Sequence, residues 1–175
     1  DTLTGGAGND SYILRNSADV IVEGVGQGTA DRAFAAVSFA LAADDNIEIL
    51  STLSLAGTGA QNLTGNVLSQ SIIGNAGANT LDGGGGADTL SGGAGNDSYI
   101  LRNSADVIVE GAGQGTDRVF SAISFGLAAD DNIEILSTMS TAGTGAQNLT
   151  GNALAQTLIG NAGANTLDGG GGRDI

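Results

Sequence analysis

The chain has 175 residues, 31 of them Gly, and 19 acidic residues against 5 basic ones, for a formal charge of −14 at pH 7. It has no Cys and no His, which excludes disulfides, Ser-His-Asp and Cys-His nucleophile systems, and zinc, haem or iron–sulfur sites of the usual ligand types. With pI ≈ 4.1 the chain is repelled by nucleic acid phosphates and anionic membrane faces and attracts cations instead. A hydrophobic fraction of 41% is too high for a solvated acidic tail, so part of the chain packs. With aromatics at only 3%, its core has to come from Leu, Ile, Val and Ala. No apolar run approaches the roughly 18 to 20 residues of a membrane span, and the first residues carry no signal-peptide pattern. Neither membrane insertion nor nucleic acid binding is expected.

In chain order, the first feature is a duplication. Asp1 to Thr29 recurs as Asp88 to Thr116, and after one extra residue, Ala30, Asp31 to Thr89 recurs as Asp117 to Ile175. Of 88 aligned positions 74 are identical, so the chain reads as two tandem units, 1–87 and 88–175, of one continuous structure cut from a longer array.

A shorter period begins at Ala56: AGTGAQNLT, GNVLSQSII, GNAGANTLD, GGGGADTLS and GGAGNDSYI. The eighth place is apolar or aromatic (Leu63, Ile72, Leu81, Leu90, Tyr99), continuing to Ile108 and, across a two-residue insertion, to Val119. The sixth place reads Gln61, Gln70, Asn79, Asp88, Asp97, Asp106 and Asp117, and the second unit repeats it as Gln147, Gln156, Asn165 and Asp174. Nine fits neither a helix nor a heptad, but it fits a turn of about six residues followed by a strand of about three whose central residue points inward. Gly at places one, two and four permits positive φ and close backbone approach. Two nines close one flattened coil, and stacked coils make parallel sheets around a narrow aliphatic interior. The predicted fold is all-β, a parallel β-roll or β-solenoid.

GGGGADTLSGGAGNDSYI resembles two tandem copies of the RTX (repeats-in-toxin, hemolysin-type) nonapeptide G-G-x-G-x-D-x-U-x, a calcium-binding β-helix repeat. DRVFSAISFGLAADDNIEIL, Asp117 to Leu136, resembles the degenerate stretches between such blocks in large secreted bacterial proteins. The resemblance implies a parallel β-roll, Ca2+ held between stacked turns, and export by a type I secretion system.

Calcium takes six to eight oxygens, from carboxylates and main-chain carbonyls. The sixth-place Asp of each Gly-rich turn supplies charge, and the residues at places one and three supply candidate carbonyls: Gly5 and Ala7, Gly83 and Gly85, Gly92 and Ala94, Gly169 and Gly171. Turns on one edge lie 18 residues apart, which pairs Asp88 with Asp106 and Asp1 with Asp19. Across the insertions it also pairs Asp97 with Asp117 and Asp10 with Asp31, while Asp174 stands at the start of a further pair. The upper loop of the Asp88 pair, LRNSAD from Leu101 to Asp106, lacks the glycines of its partner. Roughly two ions per unit are expected, with affinities on the order of 10⁻⁴ to 10⁻³ M.

Neutral Gln and Asn at the sixth place are expected to hydrogen-bond from coil to coil, so Ala56 to Asp82 should stack without metal while about Gly83 to Val119 requires it. Asp44-Asp45 and Asp130-Asp131 read as ordinary acidic turns. Glu48 and Glu134 read as outward-facing and open to pairing with Arg, and the four Phe residues read as core.

The expected function is that of a calcium-binding structural segment of a secreted or cell-surface bacterial protein: stalk, adhesin shaft, surface layer or fibre, about 45 Å long at about 4.8 Å per coil. Its partners are calcium, neighbouring repeats, and other copies through end-to-end or lateral association. No enzyme activity is expected, because almost every candidate residue occurs twice whereas a catalytic constellation is usually unique. The alternative is the carrier module of a type I secreted hydrolase; a flat Thr/Asn face for ice or glycan is a third possibility.

Overall fold

A computed structural model of the chain describes all 175 residues, and its regular structure is entirely β. The first unit contributes β1 (Thr2–Thr4), β2 (Ser11–Leu14), β3 (Val20–Val22), β4 (Arg32–Ala35) and β5 (Phe39–Ala40). It continues with β6 (Ile49–Thr52), β7 (Asn62–Thr64), β8 (Ser71–Ile73) and β9 (Thr80–Asp82). The second unit repeats these as β10 (Thr89–Ser91), β11 (Ser98–Leu101), β12 (Val107–Ile108), β13 (Arg118–Ser121) and β14 (Phe125–Gly126). Its remaining strands are β15 (Ile135–Thr138), β16 (Leu149–Thr150), β17 (Thr157–Ile159) and β18 (Leu167–Asp168).

All strand pairs are parallel and join strands two places apart in the chain, so the chain winds as a β-solenoid of about nine turns. Strands β2 to β12 with even numbers form a six-stranded sheet, and β5 to β17 with odd numbers form a seven-stranded sheet opposite. β1–β3 and β14–β16–β18 continue the odd and even sides. The ladder of eighth-place residues is the core. On one side Tyr12, Ala33, Leu50, Ile72, Leu90 and Ile108 stack in register. On the other, Phe39, Leu63, Leu81, Tyr99, Val119, Leu136 and Leu158 do the same.

The sheet skips one rung in each unit, between β3 and β5 and between β12 and β14. A cleft opens at each skip, lined in part by Val20, Val22, Glu23 and Asp45 in the first unit and by Val107, Glu110, Phe125 and Asp131 in the second. Each unit contains nine strands, an odd number, so equivalent strands of the two units fall on opposite sides of the solenoid: β2 lies in one sheet and its copy β11 in the other.

Turn geometry explains the glycines. Gly93 and Gly95 sit at φ 92° and 120°, where L side chains are strained. Gly92, at the first place, has no such φ; instead a Cβ there would run into Asp97 Oδ2 and the Tyr99 hydroxyl.

Three expectations for individual side chains are revised. Glu48 and Glu134 are half-buried and accept main-chain N–H groups from Asp31 and Asp117, so they do not face outward and no Arg pairs with them. Arg102 instead forks onto Asp82 of the neighbouring coil, at 3.0 Å and 2.8 Å. Phe39 is buried and Phe125 packs on the core, but Phe34 and Phe120 stand on the outer side of their strands, the latter 4.2 Å beneath the Arg118 guanidinium. They differ because Phe34 and Phe120 follow the inward residue of their strands, where side chains alternate between faces.

Leu136 is fully buried between Val119 and Leu158. Leu136→Ala is expected to cost about 2–5 kcal/mol, since a one-layer core has no second layer to collapse into the void, measured by urea denaturation in saturating calcium.

Candidate metal centre

The sixth-place residues form two ladders along the edges of the solenoid. At each step that ends on an acid, the backbone nitrogen at the start of one strand donates to the carboxylate that starts the strand one coil further on. On one edge Asp10 donates to Asp31 Oδ1 (2.7 Å), Asp31 to Glu48 Oε2 (2.8 Å), Gln70 to Asp88 Oδ1 (2.8 Å) and Asp88 to Asp106 Oδ1 (3.1 Å). On the other, Asn79 donates to Asp97 Oδ1, Asp97 to Asp117 Oδ1 and Asp117 to Glu134 Oε2, each at 2.7 Å. The Asp1 terminal ammonium forms an ion pair with Asp19 Oδ1 at 2.7 Å, and the Gln156 N–H donates to Asp174 Oδ1 at 2.9 Å. All four acidic pairs expected from the spacing are therefore neighbours, and the insertions after Glu23 and Glu110 are absorbed in the turns.

Two of these pairs gain a third carboxylate that spacing alone does not reveal. Asp97, Glu110 and Asp117 have carboxylate oxygens all within 4.8 Å of one another, and so do Asp10, Glu23 and Asp31. In the second unit the three are 1%, 5% and 1% exposed. The Tyr99 hydroxyl donates to Glu110 Oε2 and accepts the Gly92 N–H, and Tyr12 donates to Glu23 in the same way. The missed signal was present in sequence: Tyr at an otherwise aliphatic eighth place, followed 11 residues later by Glu, in both copies.

The remaining acids divide differently. Asp106 Oδ2 accepts the N–H groups of Arg102 and Asn103, and Asp19 Oδ2 those of Arg15 and Asn16, so both carboxylates cap their own turns. The Asn103 amide reaches across to the Gly86 carbonyl. Asp88 keeps one buried oxygen without a donor. Among the candidate carbonyl carriers, Gly83, Gly92 and Gly169 lie with their carbonyls against Gly65, Gly74 and Gly151 of the preceding coil. Gly5 and Ala7 share the turn of Asp10, Gly85 that of Asp88, and Ala94 that of Asp97. Gly171 and Asp174 lie exposed on the last coil. Asp45 and Asp131 are buried turn caps that accept the N–H groups of Ala42 and Ala128.

Where the sixth place is neutral, amides bridge the coils. Gln70 Oε1 and Asn79 Oδ1 accept the N–H of Asn66 and Asn75 in their own turns. The side-chain nitrogens of those Asn residues donate one coil back: Asn66 to the carbonyls of Ala42 (2.8 Å) and Asp45 (2.7 Å), and Asn75 to that of Gly59 (3.0 Å). Asn152 and Asn161 repeat this in the second unit. The ladder expected at the sixth place is thus shared with Asn at the second.

The turns of Asp10, Asp31, Asp88 and Asp97 lack such donors. Asp10 Oδ2, Glu23 Oε1, Asp31 Oδ2, Asp88 Oδ2 and Asp97 Oδ2 are all buried without a hydrogen-bond partner. Orphaned anionic oxygens in a dry turn are costly unless a cation meets them. They form a hard all-oxygen donor set suited to calcium and not to softer metals.

Residues 1–21, 57–99 and 141–175, more than half of the chain, match the RTX calcium-binding nonapeptide repeat in four copies. The chain belongs to that family. No curated protein and no solved structure shows significant similarity to it. As an RTX repeat segment it is built from calcium-binding repeats stacked as a β-solenoid, and a calcium ion held at the acidic turns would supply the positive charge that their unpartnered oxygens lack. Asp10 and Asp97 lie inside the matched residues, whereas Glu23, Asp31, Glu110 and Asp117 lie in the stretches between them.

Burial pushes the Asp88 and Asp97 carboxyls up to about 6 and Glu110 up to about 7. Asp117 shifts upward for the same reason. Folding without metal therefore favours the protonated acids. That advantage is complete below about pH 4, where the groups are protonated in both states, and it is lost as pH climbs through 6 and 7. Chelator-treated protein is expected to gain β signal in circular dichroism on acidification from pH 7.5 to 5; an unchanged spectrum would show that these carboxyls do not limit folding.

Proposed function

We propose that the chain is a calcium-folded structural segment of a secreted or cell-surface bacterial protein, serving as part of a stalk, adhesin shaft, surface layer or fibre. The observation that carries this function is the set of buried carboxylate oxygens without donors at Asp10, Glu23, Asp31, Asp88 and Asp97, in the turns along the two solenoid edges. In low calcium, repulsion between these acids and the chain entropy of the glycines oppose stacking, so the segment is kept extended enough to thread a type I export channel. Outside the cell, metal binding and folding become one transition. The product is mechanical: a rod of about nine coils, about 45 Å long at about 4.8 Å per rung, whose terminal coils associate with adjoining repeats or with other copies. No catalytic step is assigned to it.

The amide-bridged coils make the transition non-uniform. Residues 56–82 carry their own donors between coils, whereas residues 83–119 depend on the acids. Titrating calcium into chelator-treated protein at pH 7.5, with magnesium as control, is expected to give a cooperative gain of β signal for calcium alone. Hydrogen exchange in chelator should show residual protection in 56–82 and little in 83–119. A full β spectrum in chelator, unmoved by calcium, would overturn the function proposed here.

A further inference from the structure

Resting on the calcium-binding function, we infer that each unit carries one cation site of a different kind from the plain nonapeptide turn. This is a three-carboxylate site, Asp10/Glu23/Asp31 in the first unit and Asp97/Glu110/Asp117 in the second, that fills before the other turns and prefers cations of higher charge. Tyr12 and Tyr99 act as its positioning residues.

Four observations converge on these clusters. The three acids of each cluster approach within 4.8 Å. Asp31, Glu23 and Asp97 are at least nine-tenths buried and each directs an oxygen without any donor into its cluster. Every other buried residue of the eighth-place ladders lacks a polar side-chain atom, yet the two Tyr hydroxyls are spent on Glu23 and Glu110. A buried phenol needs a partner, and here the partner is the carboxylate it holds in place. Finally, the arrangement survives a change in loop length: Tyr12 pairs in register with Ala33, 21 residues on, and Tyr99 with Val119, 20 residues on, but both loops bring the Glu to its cluster.

The comparison within each unit sets the order of filling. At Asp88 the neighbouring Asp106 has both oxygens engaged by N–H groups, which leaves one free carboxylate oxygen on that pair. The cluster at Asp97 brings three carboxylates. More carboxylates in a constrained site raise the affinity for calcium, and three formal negative charges balance a trivalent ion better than a divalent one.

The chain offers its own reporter. It has no Trp and only two Tyr, each in contact with one cluster, so terbium emission excited through Tyr reports these two sites and not Asp88. Titrating terbium into the full 175-residue chain is expected to bring sensitised emission to its plateau at two equivalents, with calcium displacing it only in large excess. Emission that stays dark over the first two equivalents and rises later would overturn the inference.

A second measurement follows calcium alone by chelator competition. Wild type should show a tight class of two ions per chain followed by weaker binding. In the double variant Glu23→Gln, Glu110→Gln the tight class should merge with the weaker one while calcium still folds the chain. The pair Tyr12→Phe, Tyr99→Phe should weaken only the tight class, by about 10- to 100-fold, as loss of a ligand-orienting hydrogen bond does. A single class of sites in wild type, unchanged by the Glu substitutions, would overturn the inference and leave the calcium-dependent fold standing. Absence of any calcium binding would remove both.

Discussion

The physical constraint on which this structure depends is that a solenoid repeats whatever it places at a given position once per coil. The rung spacing of about 4.8 Å suits hydrophobic side chains, which gain from stacking, but it sets carboxylates at a separation where their repulsion is on the order of 3–4 kcal/mol per pair at an effective dielectric of 20. The chain meets that repulsion differently in different coils. In turns with Asn at the second place, an amide donates to the coil before it. At Asp19 and Asp106 the turn's own N–H groups surround the acid. Only at the two clusters and at Asp88 do buried carboxylate oxygens remain without any donor, and it is there that a cation would offset the repulsion.

The odd count of nine strands per unit distributes this demand. Because equivalent strands alternate sides, the Asp10 cluster precedes a strand of the even sheet and the Asp97 cluster precedes a strand of the odd one. Successive clusters therefore sit on opposite edges, and the charge they concentrate is not piled along a single line. The skipped rungs alternate in the same way, since each follows the cluster loop of its own unit. An even number of strands per unit would align all clusters on one edge and lengthen the run of uncompensated acids there.

Much of the architecture was legible because its determinants are local and periodic. The nine-residue spacing of Leu63, Ile72, Leu81 and Leu90 marks inward positions directly, and the pairing of Asp97 with Asp117 follows from counting along stacked turns. The legible part stops where a residue's role depends on a loop that breaks the period. Glu110 is off-register, so the nine-residue count does not say which turn it enters, and only its repeated spacing of 11 from a core Tyr points there. Glu48 and Glu134 are hidden for a related reason: NIEIL resembles an exposed strand edge, yet the Glu occupies the rung where the next Asp would stand. The second-place Asn escaped notice because its hydrogen bonds run to main-chain carbonyls one coil back, which composition does not distinguish from an ordinary turn.

The two insertions show how the exceptions and the period fit together. An added residue in a stacked turn normally displaces everything after it, but here the extra residues lie after Glu23 and Glu110 and before the acid that restores the register. The glutamate is thereby fixed from its N-terminal side by a regular strand and by the tyrosine beneath it, and Ala30 is absorbed on the other side without cost to the cluster. Asp31 and Asp117 then resume the ladder, each accepting the N–H of the acid one coil earlier at 2.7 Å. Irregularity at this point in the unit is what allows a third carboxylate to enter a site where strict nonapeptide stacking provides only two.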